Sequence, residues 1–435
     1  MFSERSFRNR ALTVATPILL VVTALGVPLS AADASACTVV NRTSGDRAIS
    51  DLQAAIDLAD PGDVLSIQGR CVGNFVIAQD ISLVGSPTSA QDQAVLSASH
   101  AGRVLSIKGT RDVPSHVVIT DLRITGGAVD HGGGGIRVFH GSLTLRGTTE
   151  VTANTARHAG GVMARYATVR LQDDAAVTMN TVHRKGAGIK VLDGRLAMAD
   201  SSAVSGNTGQ TAGGVWARGP ILMQDAARMT HNVSVNGQGG AIWTDSDVVM
   251  ERDARLSHNT GSAITTTNGQ VVLRQHATIA ANDAPGGTGI TVDEGQVTMR
   301  GHAKVVRNTT GPTGSGGGVL VFEGTFRMLD HTRLSQNSSV HGGGGLTVYG
   351  ESAVAVIGGR GRINKNETVN VGGGVEVLEG VLKLRKAGTI TANLAGGSGG
   401  GIWIFDANTG SAEFAPGWTG TVCGNTPDDW PTCAG

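Results

Sequence analysis

Carboxylates, cations and aromatic rings are the side chains of this 435-residue chain that could do chemistry, and their spacing limits what chemistry that is. The densest acidic group is Asp245, Asp247, Glu251 and Asp253, with Arg218 and Arg252 the nearest basic residues in register or in sequence. Calcium accepts about six to eight oxygen ligands, so this group could contribute to a Ca²⁺ site; a solvated turn edge is the plainer reading. Asp173-Asp174 is a paired carboxylate. Acid and base catalysis on a glycoside needs two carboxyl groups flanking one bond, and two adjacent acids suit a turn better. Gly396-Gly397-Ser398-Gly399-Gly400 has the spelling of a hydrolase nucleophile elbow, but such a serine must sit between a strand and a helix. H-E-x-x-H, C-x-x-C and Walker A patterns are absent. No residue is assigned as catalytic or as a metal ligand.

The least ordinary feature is aromatic. Eleven apolar residues recur beside glycine at intervals of 22 to 29 residues: Ile136, Val162, Ile189, Val215, Ile242, Ile264, Ile290, Val319, Leu346, Val375 and Ile402. The positions one and three residues later hold Phe139, Trp216, Trp243, Phe322, Tyr349, Trp403 and Phe405. If each marker begins a strand and points inward, both positions point outward. Rings gathered on one face mean packing or recognition. Aromatic neighbours on adjacent strands add up to about 1 kcal/mol per pair; alternatively, flat rings stack on the apolar faces of sugars. Trp216, Trp243, Phe322, Tyr349, Trp403 and Phe405 are therefore the candidate substrate-binding residues.

The elements that must carry these rings follow from the repeat. Half a period after each glycine-flanked marker comes an apolar-x-x-Asn step, ending at Asn154, Asn180, Asn207, Asn232, Asn259, Asn282, Asn308, Asn337, Asn366 and Asn393. In Ile189-Lys190-Val191-Leu192 alternation sends Ile189 and Val191 inward, Asp193-Gly194 turns, and Arg195–Met198 and Ala203–Ser205 follow as strands. A period of this length without helical spacing is that of stacked solenoid coils. Asn suits the turn because it tolerates left-handed backbone, and stacked copies can bond in a ladder. Seven acids, Asp193, Asp245, Glu294, Glu323, Glu351, Glu379 and Asp406, fall at or beside the turn after the first strand. Such a ridge limits edge association by charge. Before the beat starts, Ile49, Leu52, Ile56 and Ala59 share a helical face that Pro61-Gly62 ends, and a helix there would cover the open edge of the first coil.

The opening Leu52-Gln53-Ala54-Ala55-Ile56-Asp57, Pro61-Gly62-Asp63 and Ile81-Ser82-Leu83-Val84-Gly85 resembles that of right-handed parallel β-helix proteins of the pectate-lyase-like superfamily. The Gly-Gly-apolar and apolar-x-x-Asn pulses are similar to the repeats of polymorphic outer-membrane proteins. The resemblance implies an all-β, single-stranded right-handed parallel β-helix, and the repeat gives it about thirteen or fourteen coils with a short N-terminal capping helix. It also brings in polysaccharide lyases and glycoside hydrolases as the alternative function. Galacturonan hydrolases of this fold carry Asn-Thr-Asp, Asp-Asp, Gly-His-Gly and Arg-Ile-Lys in order. Here Asp173-Asp174, His341-Gly342 and Arg362-Ile363-Asn364 are partial matches, and Asn-Thr-Asp is absent.

Arg5, Arg8 and Arg10, the apolar Ala11–Leu29 and Ala34-Ser35-Ala36 read as a Sec-type signal peptide over 1–36. An uncleaved membrane anchor is one alternative, against which Pro17, Pro28 and the small-residue site weigh, and a lipoprotein signal is another, because Cys37 follows directly. Export permits disulfides; of three pairings of four cysteines, Cys37-Cys71 and Cys423-Cys433 keep each bridge at one end of the repeats. The expected divisions are an N-terminal cap and first coils over 37–125, repeats over 126–408 and a C-terminal cap over 409–435, including Trp418 and Trp430. Lys plus Arg equals Asp plus Glu, 35 against 35, without a long run of one sign, which argues against nucleic acid. No apolar run after the signal is long enough to span a bilayer. The expected role is a secreted structural or binding protein without a catalytic site, its partner an extracellular polysaccharide or a cell-surface component.

Overall fold

The computed structural model describes residues 36–428 except 46–47, 87–91, 285–287, 313 and 407–408. The expected signal peptide, Trp430 and Cys433 lie outside the described residues. What is described is all-β, 51% strand and 2% helix, a parallel β-solenoid of about 12 turns.

One turn shows how short amphipathic segments become a coil. Ile189–Leu192, Arg195–Met198 and Ala203–Ser205 form the expected three strands, and Thr208–Gly209 adds a short fourth. Each pairs in parallel with its counterpart one turn away, so Ile189 lies between Val162 and Val215. The same register joins every marker from Ile136 to Ile402. All eleven are buried, each such side chain contributing roughly 1.5–3 kcal/mol by leaving water. Close stacking favours glycine before the marker: a Cβ at Gly188 would sit 2.7 Å from the Gly214 carbonyl and 3.0 Å from the Asn207 amide, and where glycine is replaced the residue is the small Ala241 or Ala263. First and second faces merge into one 26-stranded sheet, because Ile136–Arg146 and Val162–Leu171 run through both. The third face is a 14-stranded sheet, one strand per turn, while the fourth face begins only at Ala128.

The asparagines form a buried ladder at the corner between third and fourth faces. Asn232 donates its main-chain N–H and its Nδ2 to Oδ1 of Asn259, each at 3.0 Å, and a second Nδ2 bond goes to the Val204 carbonyl at 2.9 Å. The pattern runs from Asn154 to Asn393 and one step further, to Asn425. The asparagines themselves are not the left-handed residues. That conformation falls on the residue before, at Ala153, Met179, His231, His258 and Lys365 among others. The bend there turns the chain so that the following amide points into the stack, where it can both donate and accept.

The N-terminal end is covered by a helix. Asp51 caps the helix Leu52–Leu58 by accepting from the N–H groups of Gln53 and Ala54. The Gln53 amide then pairs with both main-chain groups of Val76, satisfying the exposed edge of the first coil. Leu52, Ile56 and Ala59 are buried as expected, but Ile49 lies outside the helix in an antiparallel bridge to Val39. Cys37 is bonded to Cys71, and Cys423 is also disulfide-bonded. At the other end the stacking runs past residue 409: Gly410–Phe414 and Val422–Cys423 pair in parallel with the turn before them. Trp418 packs on Phe414 and donates to the Gly388 carbonyl.

Candidate functional site

The first face carries two outward columns. One position after the markers, register places Ser106, Arg137, Met163, Lys190, Trp216, Trp243, Thr265, Thr291, Leu320, Thr347, Glu376 and Trp403 one above another. Three positions after, Phe139 stacks against Arg165, and Phe322 against Tyr349.

The six candidate rings come together only in pairs. Trp216 and Trp243 are parallel within 1°, with centroids 5.3 Å apart. Phe322 and Tyr349 meet edge to face at 5.1 Å, and Trp403 tilts against Phe405 at 5.7 Å. Five non-aromatic residues separate Trp243 from Trp403 in their column, so the rings do not form a continuous platform.

Trp216 departs from the expectation of an exposed ring: it is 4% exposed. A left-handed bend at Gly186 brings the incoming loop within reach of the Trp216 Cβ. Lys190, Arg218 and Lys185 then lie over the indole at 4.9, 5.4 and 5.7 Å. Neighbours occupy both its surroundings and its ring face. Trp243 is half-buried, with Lys185 also over its ring. By contrast Phe322, Tyr349 and Phe405 are 36%, 41% and 67% exposed.

The acidic candidates are spread over turns and tied there. Asp245 faces Arg218 at 3.8 Å, Asp247 accepts from the Gln270 N–H, Glu251 binds Gln224 and Arg274, and Asp253 faces His276. Arg252 pairs with Asp225. Among the described residues no three His, Cys, Asp or Glu side chains are grouped so as to hold a metal ion. Asp173 occupies a left-handed corner, where its carboxylate accepts from the Gly147 N–H; it has a turn role, as the sequence implied. His341 and Arg362 belong to turns far along the solenoid from it. Ser398 lies in a loop whose carbonyl accepts from Gly372, with no helix beside it.

Sequence reasoning missed Glu376. It stands in the first outward column at 5% exposure, enclosed by the Gly342 and Gly372 main chain, and accepts from the Thr347 hydroxyl at 2.9 Å. Burial raises its pKa from 4.5 to about 7, against a smaller downward pull from Thr347. The available signal was an acid in a column otherwise free of acids. In comparisons with known proteins, no family model, curated protein or solved structure matches the chain. What the structure shows is the architecture of a β-helix repeat protein, a parallel solenoid.

Proposed function

We propose that the chain is an exported, non-catalytic binding protein that holds an extracellular or cell-surface polysaccharide against its first face. The observation that carries this reading is the exposure of Phe322, Tyr349 and Phe405 on one face of a chain with 3% aromatic residues. Exposed rings on a sheet have no packing reason of their own beyond the pair they form. The Cys37–Cys71 bond is compatible with an oxidising compartment, and among the described residues no helix is long and apolar enough to cross a membrane. The first-face binding residues are then Phe322, Tyr349, Phe405 and Trp403, with Trp243 contributing an edge. Trp216 leaves this set because it is buried.

Cleavage is the less supported function. Glu376 has the raised pKa of a general acid, but its carboxyl is enclosed and paired with Thr347. A panel of insoluble and soluble polysaccharides, scored for retention and for new reducing or unsaturated ends, tests the reading. Retention without new ends, reduced at least roughly tenfold in Phe322→Ala/Tyr349→Ala, is expected from loss of two stacking rings. New chain ends would instead establish an enzyme.

A further inference from the structure

The early turns carry a charge imbalance that the chain as a whole lacks. Residues 103–190 hold twelve Arg and Lys against six Asp and Glu, while the full sequence balances 35 against 35. Folding gathers the excess. Arg137 and Lys190 occupy the same outward column two turns apart, roughly 10 Å at the spacing of neighbouring strands. Arg157 lies in the fourth-face strand Thr155–His158, and Arg184 and Lys185 come from the segment that leads into Ile189.

Among the described residues these cations form no ion pairs. The six ion pairs among the described residues include none of Arg103, Arg137, Arg157, Arg184, Lys185 or Lys190. Arg103 donates only to the neutral Gly132 and Gly133 carbonyls and to Ser106. Burial and Arg137 lower its pKa. Burial, then Lys185 and Arg218, lower that of Lys190. The cations converge on His158. Burial and then Lys190, Arg184, Arg157 and Lys185 push its pKa down to about 4. Its Nδ1 is buried without a hydrogen-bond partner. Two hollows flank Arg137, one of about 300 Å³ lined by Arg157, His158 and Met163, the other of about 180 Å³ lined by Arg103, Lys108 and Phe139. Asp130, at the rim of the larger, is the one acid among their linings.

We propose that this trough binds the oxyanion groups of an acidic polysaccharide, one seated between Arg137 and Arg157 and the next at Lys185 and Lys190. Planar guanidinium groups match carboxylate and sulfate oxygens in pairs, and an oxyanion there relieves the mutual repulsion of the cations. Single-stranded nucleic acid fits less well. It needs ring faces open for base stacking, and here the Trp216 face is taken by Trp243 and by lysine. The proposal deepens the polysaccharide-binding reading and rests on it, but it uses other residues.

The test is affinity electrophoresis of the full exported chain through alginate, dextran sulfate, neutral dextran and single-stranded DNA, at low and high salt. Retardation by alginate or dextran sulfate is expected, the stronger arm identifying carboxylate or sulfate as the source, with loss of retardation at high salt. Arg137→Gln/Arg157→Gln, at two exposed positions, should weaken it at least roughly tenfold, while Arg362→Gln/Arg385→Gln, elsewhere on the solenoid, should not. Equal weakening in both variants, no weakening in the first, or preferential retardation by DNA would overturn the site. Retention on a neutral polysaccharide without any preference for the acidic ones would remove the anion site and leave the ring-based reading standing. Binding to no polysaccharide at all would remove both.

Discussion

The asparagine corner and the outward columns of the first face are built on the same strand spacing, yet one is uniform and the other is not. Eleven asparagines from Asn154 to Asn425 fill the corner without interruption. Over the same turns the first outward column passes through arginine, methionine, lysine, tryptophan, threonine, leucine and glutamate. The corner must satisfy a buried main-chain N–H at every turn and needs a side chain that accepts on one atom while donating from another, which an amide does. The outward column is constrained by its neighbours alone. A solenoid therefore separates the two kinds of information in space: uniform columns carry the fold, and broken columns carry whatever distinguishes one stretch from another.

Breaking the uniform column should have the largest effect. Asn259→Ala removes the acceptor of two Asn232 donors and the donor to Asn282 Oδ1, all buried. Leaving such groups unpaired should cost on the order of 3 kcal/mol or more, read as a lowered midpoint in urea. Because coils interact chiefly with neighbours, the transition should also broaden as the two flanking segments uncouple. A midpoint unchanged from wild type would show that water or relaxation replaces the ladder.

Glu376 sharpens the comparison, since it is a buried acid in the broken column. The unfolded carboxyl ionises near 4.5 and the folded one near 7, so between these values the folded state holds a proton that the unfolded state has released. Its stabilising contribution is complete below about pH 4.5 and is lost as pH rises through about 7. The loss should reach up to roughly 3 kcal/mol. Glu376→Gln keeps an oxygen for the Thr347 hydroxyl and cannot ionise. It should flatten the decline of melting temperature over that window and be the more stable protein above pH 7. Parallel pH profiles for the two proteins would place the decline elsewhere.

Much of this was legible in the sequence, and the reason is periodicity. Ile136 through Ile402 and Asn154 through Asn393 are each fixed by one local requirement repeated, so spacing alone identified the strands, their register and the ladder. The left-handed residue before each asparagine was not legible, because alanine, methionine, histidine and lysine all occupy it and share no property. The burial of Trp216 depends on Lys190 from the turn before and on the Gly186 bend, which alternation within one strand cannot express. The cationic trough escaped for the same reason: Arg103, Arg137, Arg157 and Lys190 are separated in sequence and meet only through stacking. Beyond Gly410 irregular spacing hid strands that still pair in register.

The smallest expected effects distinguish the two uses of a ring on the first face. Trp216 lies under three cations at 4% exposure, so Trp216→Ala should lose about 2 kcal/mol of stability through re-exposed apolar surface and leave polysaccharide retention unchanged. Phe405 is 67% exposed and touches Trp403 alone among the rings. Phe405→Ala should therefore stay within about 0.5 kcal/mol of wild type while retention falls. Measured together on the same polysaccharide, the pair forms a crossed comparison in which each variant controls for the other. If Phe405→Ala lowers the melting temperature and leaves retention intact, the exposed rings serve packing like Trp216, and the rings lose their claim to a glycan.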